Sequence, residues 1–313
     1  MKNLTRSETA QILLAHDNYA IVTHRRPDGD TLGSSALLCM GLRQLGKNAH
    51  ILENPETTPK YAHLHHGLCK PKTEAGDFVV SVDVASSNML PDCFKELPYD
   101  LRIDHHGNAT SFTPVELVEP GAAACGEIVY HLLMEMGAEL DIPMAEALYT
   151  AVSTDTGCFR YANTTADTLR VAAACKDAGA DTFAITQALF ETNSLARLKV
   201  QAYMLQNAVF LQNGNIAICA LPKAVEAEYG AGEDDLDNIS GFPRSIEGVK
   251  LAVTLRDENE TKVKMSVRAV PGCDASALCA KFGGGGHKGA AGASMSMSMD
   301  EAVAAVIAAL PIV

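Results

Sequence analysis

The chain has 313 residues, of which 47% are hydrophobic and 5% aromatic, and its formal net charge is −13 at pH 7. This length suits two domains with sizeable cores, and no apolar run is long enough to span a bilayer. The acidic surface argues against binding long nucleic acid by counterion release, and the absence of tryptophan argues against a stacking groove for long single strands. A small anionic substrate stays compatible with this charge if basic residues and metal ions gather in one place.

The N-terminus and the cysteines indicate the compartment. Residues 1–8 lack the apolar stretch of a signal peptide, so we expect a cytoplasmic protein. Nine cysteines are scattered singly, with no Cys-x-x-Cys pair. In a reducing compartment they are expected to be small buried hydrophobic residues, not redox or zinc ligands.

The N-terminal half alternates patterns typical of helices and strands. Predicted helices cover residues 7–17 (with Ser7 as the cap), 31–45, 121–136 and 143–153, and predicted strands cover 19–23, 48–52, 77–82, 101–103 and 115–118. The strand at 77–82 is nearly continuous in Phe and Val, as in strands covered on both faces. This order predicts an α/β fold with an open, mainly parallel sheet, whose ligands gather outside the carboxyl ends of the strands.

The pattern changes character near residue 213. Predicted helices cover 165–179, 181–190 and a long stretch at 193–212, after which come strands at 215–221, 249–256 and 262–268 and helices at 274–282 and 300–310, the last capped by Asp300. Alternating Ser and Met at 293–299 predict a half-buried strand. We therefore predict an N-terminal domain over residues 1–190, a linker helix over 191–213 and a smaller α/β domain with a mixed sheet over 214–313.

Four acid-bearing segments follow these predicted elements. They are His24-Arg25-Arg26-Pro27-Asp28-Gly29-Asp30, Asp83, Asp104-His105-His106 and Asp155. Each acid alone is equally well explained by a cap or a turn, but the four segments together indicate a metal site. The candidate ligands are His24, Asp28, Asp30, Asp83, His105 and Asp155, which are enough for two divalent ions.

Two such ions, about 3.5–4 Å apart, activate water and stabilise both the entering and the leaving oxygen of a phosphoryl displacement. Ligation by carboxylate and imidazole without thiolate favours Mn²⁺, with Co²⁺, Fe²⁺ or Mg²⁺ as alternatives.

In order and spacing, these segments resemble the four motifs of the DHH phosphoesterases, and the Asp-His-His triplet stands here unaltered. The C-terminal segment 282–292, FGGGGHKGAAG, resembles the glycine-rich signature of the DHH-associated domain. Together with Ser266-Val267-Arg268, it points to the branch of bacterial nano-RNases, or oligoribonuclease/pAp phosphatases. Ala269 departs from this pattern, since relatives tend to have Ser after the arginine, which puts one minor contact in doubt.

The resemblance implies a hydrolase of phosphoester bonds, with catalytic residues Asp83, Asp104, His105 and His106. One metal would bind His24, Asp28 and Asp83, and the other would bind Asp30, Asp83, His105 and Asp155. His106 would face the scissile phosphate, and Asp104 would orient the histidines. The implied substrates are single-stranded RNA of two to five nucleotides, cleaved to mononucleotides, and 3′-phosphoadenosine 5′-phosphate (pAp), converted to AMP. A homodimer stays open.

Further residues are candidates for binding the substrate. By resemblance, Arg268 and His287 would bind a phosphate or the terminal nucleotide. Backbone N–H groups of Gly284, Gly285 and Gly286 are suited to close on an anion. This segment also satisfies GxGxxG, but a predicted helix and not a strand precedes it, which excludes a dinucleotide-binding fold. The guanidinium of Arg160 is a second candidate for a phosphate.

The three histidines His63, His65 and His66 form a separate cluster. No acid lies near them at ligand spacing, so we expect them at the surface.

Three other functions remain open on the sequence. A family II type inorganic pyrophosphatase has similar N-terminal motifs, but the glycine-rich tail argues against it. A nucleotide sensor that has lost hydrolysis is disfavoured by the intact ligand set. Cleavage of linear or cyclic dinucleotides is the third alternative.

Overall fold

The computed structural model describes residues 2–107, 110–259 and 261–313. The chain divides into two compact units, one that ends at Thr192 and one formed by Asn193–Val313. None of the helices in the described part is long and apolar enough to cross a membrane.

The first unit is built on a seven-stranded sheet. Its strands are β1 Lys2–Asn3, β2 Asn18–Val22, β3 Asn48–Leu52, β4 Cys69–Lys70, β5 Phe78–Val82, β6 Tyr99–Asp104 and β7 Val115–Val118. Their order in the sheet is β1-β7-β6-β5-β2-β3-β4, and all neighbouring strands pair in parallel. This confirms the predicted open parallel sheet.

Six helices accompany this sheet. They are α1 Arg6–Ala15, α2 Gly29–Gln44, α3 Cys125–Glu135, α4 Ile142–Asp155, α5 Ala166–Asp177 and α6 Thr182–Thr186. Helices α2 and α4 pack very closely at Gly33. A Cβ atom at this position would lie 2.4 Å from the carbonyl oxygen of Ala147, which is too close for any side chain. Glycine at this position therefore lets the start of α2 approach the middle of α4.

The second unit contains a six-stranded sheet and four helices. The strands are β8 Val209–Leu211, β9 Ile216–Leu221, β10 Leu251–Asn259, β11 Lys262–Ala269, β12 Gly285–Gly286 and β13 Ala290–Met295, and the helices are α7 Leu195–Gln206, α8 Lys223–Tyr229, α9 Ala275–Ala280 and α10 Met299–Ala309. The sheet order is β12-β13-β11-β10-β9-β8. Only β9 and β10 pair in parallel, so the sheet is mixed, as predicted.

The prediction of one long helix over 193–212 is wrong for the residues after Gln206. Helix α7 ends at Gln206, and Val209, Phe210 and Leu211 form a strand that pairs antiparallel with β9. Aromatic and β-branched residues favour a strand here, and the pairing with β9 stabilises the strand over a continued helix. The boundaries of the linker itself stay a prediction.

Several helix caps also differ from the prediction. Helix α1 is capped by Thr5 and not by Ser7, through a capping box with Glu8. Helix α10 is capped by Ser298 and not by Asp300, again through a capping box. In both cases a glutamate three residues after the cap bonds back to the cap residue, which adds a reciprocal bond that a single cap lacks.

Two helical predictions were too long, and several elements were missed. The stretch 121–136 begins its helix only at Cys125, and the stretch 181–190 splits into α6 and a π-helical turn, Gln187–Glu191. Helix α8 and the two-residue strands β1, β4 and β12 had not been predicted. The strand predicted from the Ser/Met alternation at 293–299 is correct only as far as Met295, where β13 ends, and Met299 already begins α10. Within the strand, Met295 is buried and Ser294 is exposed, as expected for a half-buried strand.

Candidate active site

The first part of the site is the buried residue His24, just beyond the end of β2. Its Nδ1 lies 2.8 Å from the carbonyl oxygen of Arg25. Because a carbonyl only accepts, Nδ1 donates this bond, and Nε2 is the ring nitrogen that faces the carboxylates. Nε2 lies 3.8 Å from Asp28 Oδ1 and 3.7 Å from Asp83 Oδ2. His24 is therefore prepared to bind a cation that these two carboxylates share.

Two acids occupy the start of α2. Asp28 caps the helix, and its Oδ1 accepts from the backbone N–H groups of Asp30 and Thr31 at 3.1 and 3.2 Å. Asp30 is fully buried, and its carboxylate accepts from the backbone N–H groups of Cys125 at 2.6 Å and Gly126 at 3.0 Å. These N–H groups belong to the first turn of α3, where the helix dipole favours negative charge. Asp30 is thus fixed between two helix starts.

Asp83 lies at the centre of the cluster, directly after β5. Its φ of 60° is rare for a residue other than glycine, and its N–H donates to the carbonyl of Ile103 at 2.9 Å. Oδ1 lies 3.5 Å from Nε2 of His105, while Oδ2 faces His24. Oδ1 is buried and has no hydrogen-bond partner among the described residues. The two oxygens of Asp83 thus face two different histidines, which suits a carboxylate that bridges two cations.

The Asp-His-His triplet stands where β6 ends. Asp104 Oδ1 accepts from the backbone N–H groups of His105 and His106, at 2.8 and 3.2 Å, and from Nδ1 of His106 at 2.8 Å. These bonds fix the His106 ring and leave its Nε2 for another partner. Nδ1 of His105 lies 3.3 Å from the carbonyl oxygen of Ala122, and its Nε2 faces the carboxylates.

Asp155 completes the cluster from α4, of which it is the last residue. Its Oδ2 lies 3.4 Å from Nε2 of His105, which also lies 3.8 Å from Asp30 Oδ2. The six predicted ligands therefore come together. In three groups, the potential ligand atoms lie within 4.8 Å of one another: His24, Asp28 and Asp83; Asp30, His105 and Asp155; and Asp83, His105 and His106.

The electrostatics of the cluster fit divalent cations. Burial, followed by the negative charges of Asp30 and Asp28, raises the pKa of Asp83 well above its ordinary value and that of Asp155 to about 8. Burial likewise raises the pKa of Asp30. Together with the unpartnered Asp83 oxygen, these shifts mark a concentration of carboxylates that needs positive charge. Carboxylate and imidazole are the donors that divalent ions such as Mn²⁺ accept.

Asp104 behaves differently from these acids. Burial opposes its ionisation, but the hydrogen bond and charge of His106 and the charge of Arg102 outweigh burial and lower the pKa of Asp104. Its charge is thus already balanced by protein groups. This fits the orienting role that the sequence predicted for it.

In the second unit, Arg268 and the glycine-rich segment lie at one edge of the sheet. Arg268 on β11 is opposite Ala290 on β13, and the N–H of Ala290 donates to the carbonyl of His287 at 3.2 Å. The N–H groups of Gly284 and His287 donate to backbone carbonyls, whereas Gly285, Gly286 and His287 are exposed. A Cβ atom on Gly284 would lie 2.2 Å from the carbonyl oxygen of Gly292. The segment therefore needs glycine for close strand pairing, and its anion-binding role stays a prediction.

Arg160 is exposed, five residues beyond Asp155, and its Nε donates to the carbonyl of Gly157 at 2.6 Å. Its proposed contact with phosphate also stays a prediction.

The expected surface position is wrong for one of the three clustered histidines. His63 and His66 are exposed, but His65 is buried, and its Nε2 lies 2.9 Å from Ser35 Oγ and 3.1 Å from the carbonyl oxygen of Leu32. Burial lowers the pKa of His65 to about 4. The sequence offered no periodic pattern here, because His65 lies in a short 3₁₀ turn that packs on α2.

The sequence interpretation missed three side chains that support the ligands. Ser34 Oγ donates to Asp30 Oδ1 at 2.7 Å, and Thr31 Oγ1 donates to the carbonyl of Val82, next to Asp83, at 3.1 Å. Asn163 Nδ2 donates to the carbonyl of Asp155 at 3.2 Å. Ser34 had a usable signal, since it follows Asp30 by four residues on one helix face. The bonds of Thr31 and Asn163 depend on the fold.

Comparisons with known proteins give the family of this chain. Residues 18–152 match the DHH family, N-terminal domain, and residues 213–310 match the DHHA1 domain. The bifunctional oligoribonuclease and PAP phosphatase NrnA of Thermus thermophilus is 34% identical over 294 residues, which are 93% of this chain and 88% of the relative. The protein of the same name from Bacillus subtilis is 27% identical over 305 residues, 95% of each chain.

A solved structure shares the whole fold. The crystal structure of an exopolyphosphatase-related protein from Bacteroides fragilis superposes with a TM-score of 0.84 at 25% identity, over 97% of this chain and 94% of the other. The matched domains, the clustered ligands and the relatives lead to one conclusion: the chain belongs to the DHH family of phosphoesterases and carries the DHHA1 domain as its C-terminal part.

Proposed function

We propose that this protein hydrolyses very short oligoribonucleotides to mononucleotides and pAp to AMP, as the names of its relatives suggest. The observation that carries the proposal is the convergence of the five other candidate ligands around Asp83, whose two oxygens face His24 and His105. No single structural need of the fold explains why three aspartates with raised pKa values gather there.

Two divalent ions fit this donor set, with Mn²⁺ favoured and Co²⁺, Fe²⁺ or Mg²⁺ as alternatives. His24, Asp28 and Asp83 would hold one ion, and Asp30, Asp83, His105 and Asp155 would hold the other. When bound, the ions would supply the activation of water and the positive charge that phosphoryl transfer requires.

The protein groups contribute orientation. Backbone carbonyls hold the Nδ1–H groups of His24 and His105, so both rings present Nε2 to the cluster. Asp104 holds Nδ1 of His106, and we propose that Nε2 of His106 contacts the scissile phosphate. Because these rings are held before substrate arrives, little reorganisation accompanies the reaction.

Residues outside the ligand cluster would select the substrate. Arg268 and His287, with the exposed glycines Gly285 and Gly286, would bind a phosphate or the terminal nucleotide, and Arg160 would bind a further phosphate. The net charge of −13 disfavours long polyanions, so binding energy should come from the first one or two nucleotides. Nine free cysteines in the described chain agree with a cytoplasmic protein. A homodimer stays a prediction.

The decisive experiment offers one preparation of the protein, with Mn²⁺, several substrates side by side: pApA, pAp, pyrophosphate, cyclic diadenylate and a 24-nucleotide RNA. We expect kcat/KM to be highest for pApA and pAp and to fall steeply beyond about five nucleotides. Added salt should reduce the penalty on long RNA, because salt screens repulsion between exposed charges. Preference for pyrophosphate or cyclic diadenylate would select those alternative functions, and equal hydrolysis of the 24-mer would indicate a general exonuclease.

A further inference from the structure

Among the residues that the structure describes, Arg102 is the largest fully buried side chain, and no step of the proposed reaction uses it. It lies on β6, two residues before Asp104, and is 1% exposed. A buried guanidinium is costly unless its hydrogen bonds are arranged around it. The identity of its partners therefore indicates what the residue is for.

The partners of Arg102 belong to the segments that carry the site. Nη1 donates to the carbonyl of Ala85 at 3.1 Å and to the carbonyl of Thr110 at 3.2 Å. Ala85 follows Asp83 by two residues, and Thr110 follows His106 by four. The N–H of Thr110 also donates to the Ala85 carbonyl, at 2.8 Å. One guanidinium thus joins the segment after Asp83 to the segment after the Asp-His-His triplet.

The same guanidinium faces Asp104 and a charge partner on the neighbouring strand. Nη1 lies 3.9 Å from Asp104 Oδ2, an oxygen that has no hydrogen-bond partner among the described residues. Nη2 donates to Glu116 Oε2 on β7 at 2.7 Å. Asp104 Oδ2 faces Arg102, whereas Oδ1 accepts from His106. Arg102 and His106 therefore hold opposite oxygens of the same carboxylate.

We propose that Arg102 is a positioning residue, which sets the placement of Asp83 relative to His105 and His106. This inference rests on the proposed metal-dependent hydrolysis. Without Arg102, the carbonyls of Ala85 and Thr110 lose the guanidinium as a donor, and the two segments are joined only by the bond from the Thr110 N–H to the Ala85 carbonyl. Ligands held by such outer partners typically lose 10–100-fold in metal affinity when the partner is removed. Substrate binding, which depends on other residues, should change little.

The competing explanation is that Arg102 serves only the stability of the sheet through its pair with Glu116. Glu116→Gln is the matched control, because glutamine still accepts from Nη2 and all other bonds of Arg102 remain. The test variant combines Arg102→Met with Glu116→Gln, so that the Glu116 carboxylate is not left without its charge partner. Arg102→Lys is the third variant, since lysine keeps the charge but lacks the planar fork that reaches Glu116 with Nη2 and the two carbonyls with Nη1 at the same time.

The measurements are Mn²⁺ affinity by calorimetric titration, the electron paramagnetic resonance spectrum of bound Mn²⁺, and kcat and KM for pAp at saturating Mn²⁺. We expect the double variant to bind Mn²⁺ at least tenfold more weakly and to lose kcat, with KM for pAp within threefold of wild type. Its spectrum should lose the coupling between neighbouring ions. Arg102→Lys should behave in the same way, and Glu116→Gln should stay within threefold in every quantity.

Wild-type Mn²⁺ affinity in the double variant or in Arg102→Lys would overturn the proposal, as would an equal loss in Glu116→Gln. Failure of both arginine variants to melt cooperatively would also overturn it, in favour of a purely structural role. If the wild type binds Mn²⁺ but hydrolyses neither pAp nor short RNA, the proposed function fails while the affinity measurement still tests Arg102. A wild type that binds no divalent ion would overturn both.

Discussion

Replacing Asp155 by asparagine should stabilise the metal-free protein while it removes a proposed metal ligand. Asp155 is the last residue of α4, where the helix dipole disfavours negative charge. Burial, and then the charges of Asp30 and Asp28, raise the pKa of Asp155 to about 8. The amide of asparagine has nearly the same shape but no charge, so the substitution removes the repulsion and keeps the packing.

The magnitude follows from the difference between the folded and unfolded states. An unfolded aspartate ionises near pH 3.8, so between pH 3.8 and 8 the folded protein holds a proton that the unfolded chain has released. Stability therefore falls as pH rises through this window. From the unfolded pKa to pH 7 the difference is about 3 pH units, and each unit is worth about 1.36 kcal/mol. The raised pKa of Asp155 therefore destabilises the folded protein at pH 7 by at most about 4 kcal/mol. Because the Asp155 side chain is 29% exposed, solvent screening reduces the expected gain in Asp155→Asn to roughly 2 kcal/mol.

The assay is urea unfolding at pH 5, 6, 7 and 8, in chelator and again in excess Mn²⁺. Asp177→Asn is the matched control, because Asp177 also ends a helix, α5, but is exposed. In chelator, Asp155→Asn should exceed the wild type by a margin that grows with pH, and Asp177→Asn should not. In Mn²⁺ the order should reverse, since only the wild type gains the full free energy of binding. An Asp155→Asn protein that is no more stable in chelator, or a margin independent of pH, would refute the reasoning.

Three other substitutions test separate parts of the molecule. Asp83→Ala should abolish turnover and lower the bound metal without changing the circular dichroism spectrum; two retained ions and activity within tenfold of wild type would contradict the bridging role. Arg268→Ala should raise KM for nucleotides much more than it affects an aryl phosphodiester with an uncharged leaving group, because remote binding is lost and the reacting centre is not; equal loss on both substrates would exclude this role. Burial lowers the pKa of His65 to about 4, so the wild type should lose up to about 3 kcal/mol of stability as pH falls from about 6.5 to 4. His65→Gln should flatten this dependence, exposed His63→Gln should not, and identical urea curves for the two variants between pH 4 and 7 would disprove it.

The sequence predicted those parts of the fold that depend on local pattern. The strand at 78–82 could be predicted because four of its five residues are Phe or Val, as in strands covered on both faces. Asp83 and Asp104 could be placed because parallel strands bring their carboxyl ends to one edge of the sheet. From there, the convergence of the acids is a consequence of topology.

The parts that could not be predicted depend on contacts distant in sequence. Strand β8 forms because β9 offers it a partner, and residues 193–212 alone contain nothing that outweighs a continuous helical pattern. His65 is buried because α2 provides Ser35 and Leu32 as partners, 30 and 33 residues away. The balance between carboxylates and positive groups in the site likewise could not be predicted from the sequence, since it depends on which donor each carboxylate oxygen contacts.

That charge balance separates the acids of the site into two kinds. Asp104 has a lowered pKa because His106 and Arg102 supply its positive charge from within the protein, even though burial works against ionisation. Asp83 and Asp155 have raised pKa values because the described residues give them too little compensation. The charge of the first kind is balanced by protein groups without a cation, which suits an orienting role. Ionising the second kind costs free energy until a cation binds. The direction of the pKa shift therefore supports the proposal that Asp104 orients the histidines while Asp83 and Asp155 hold metal, although all three are buried or partly buried carboxylates in one cluster.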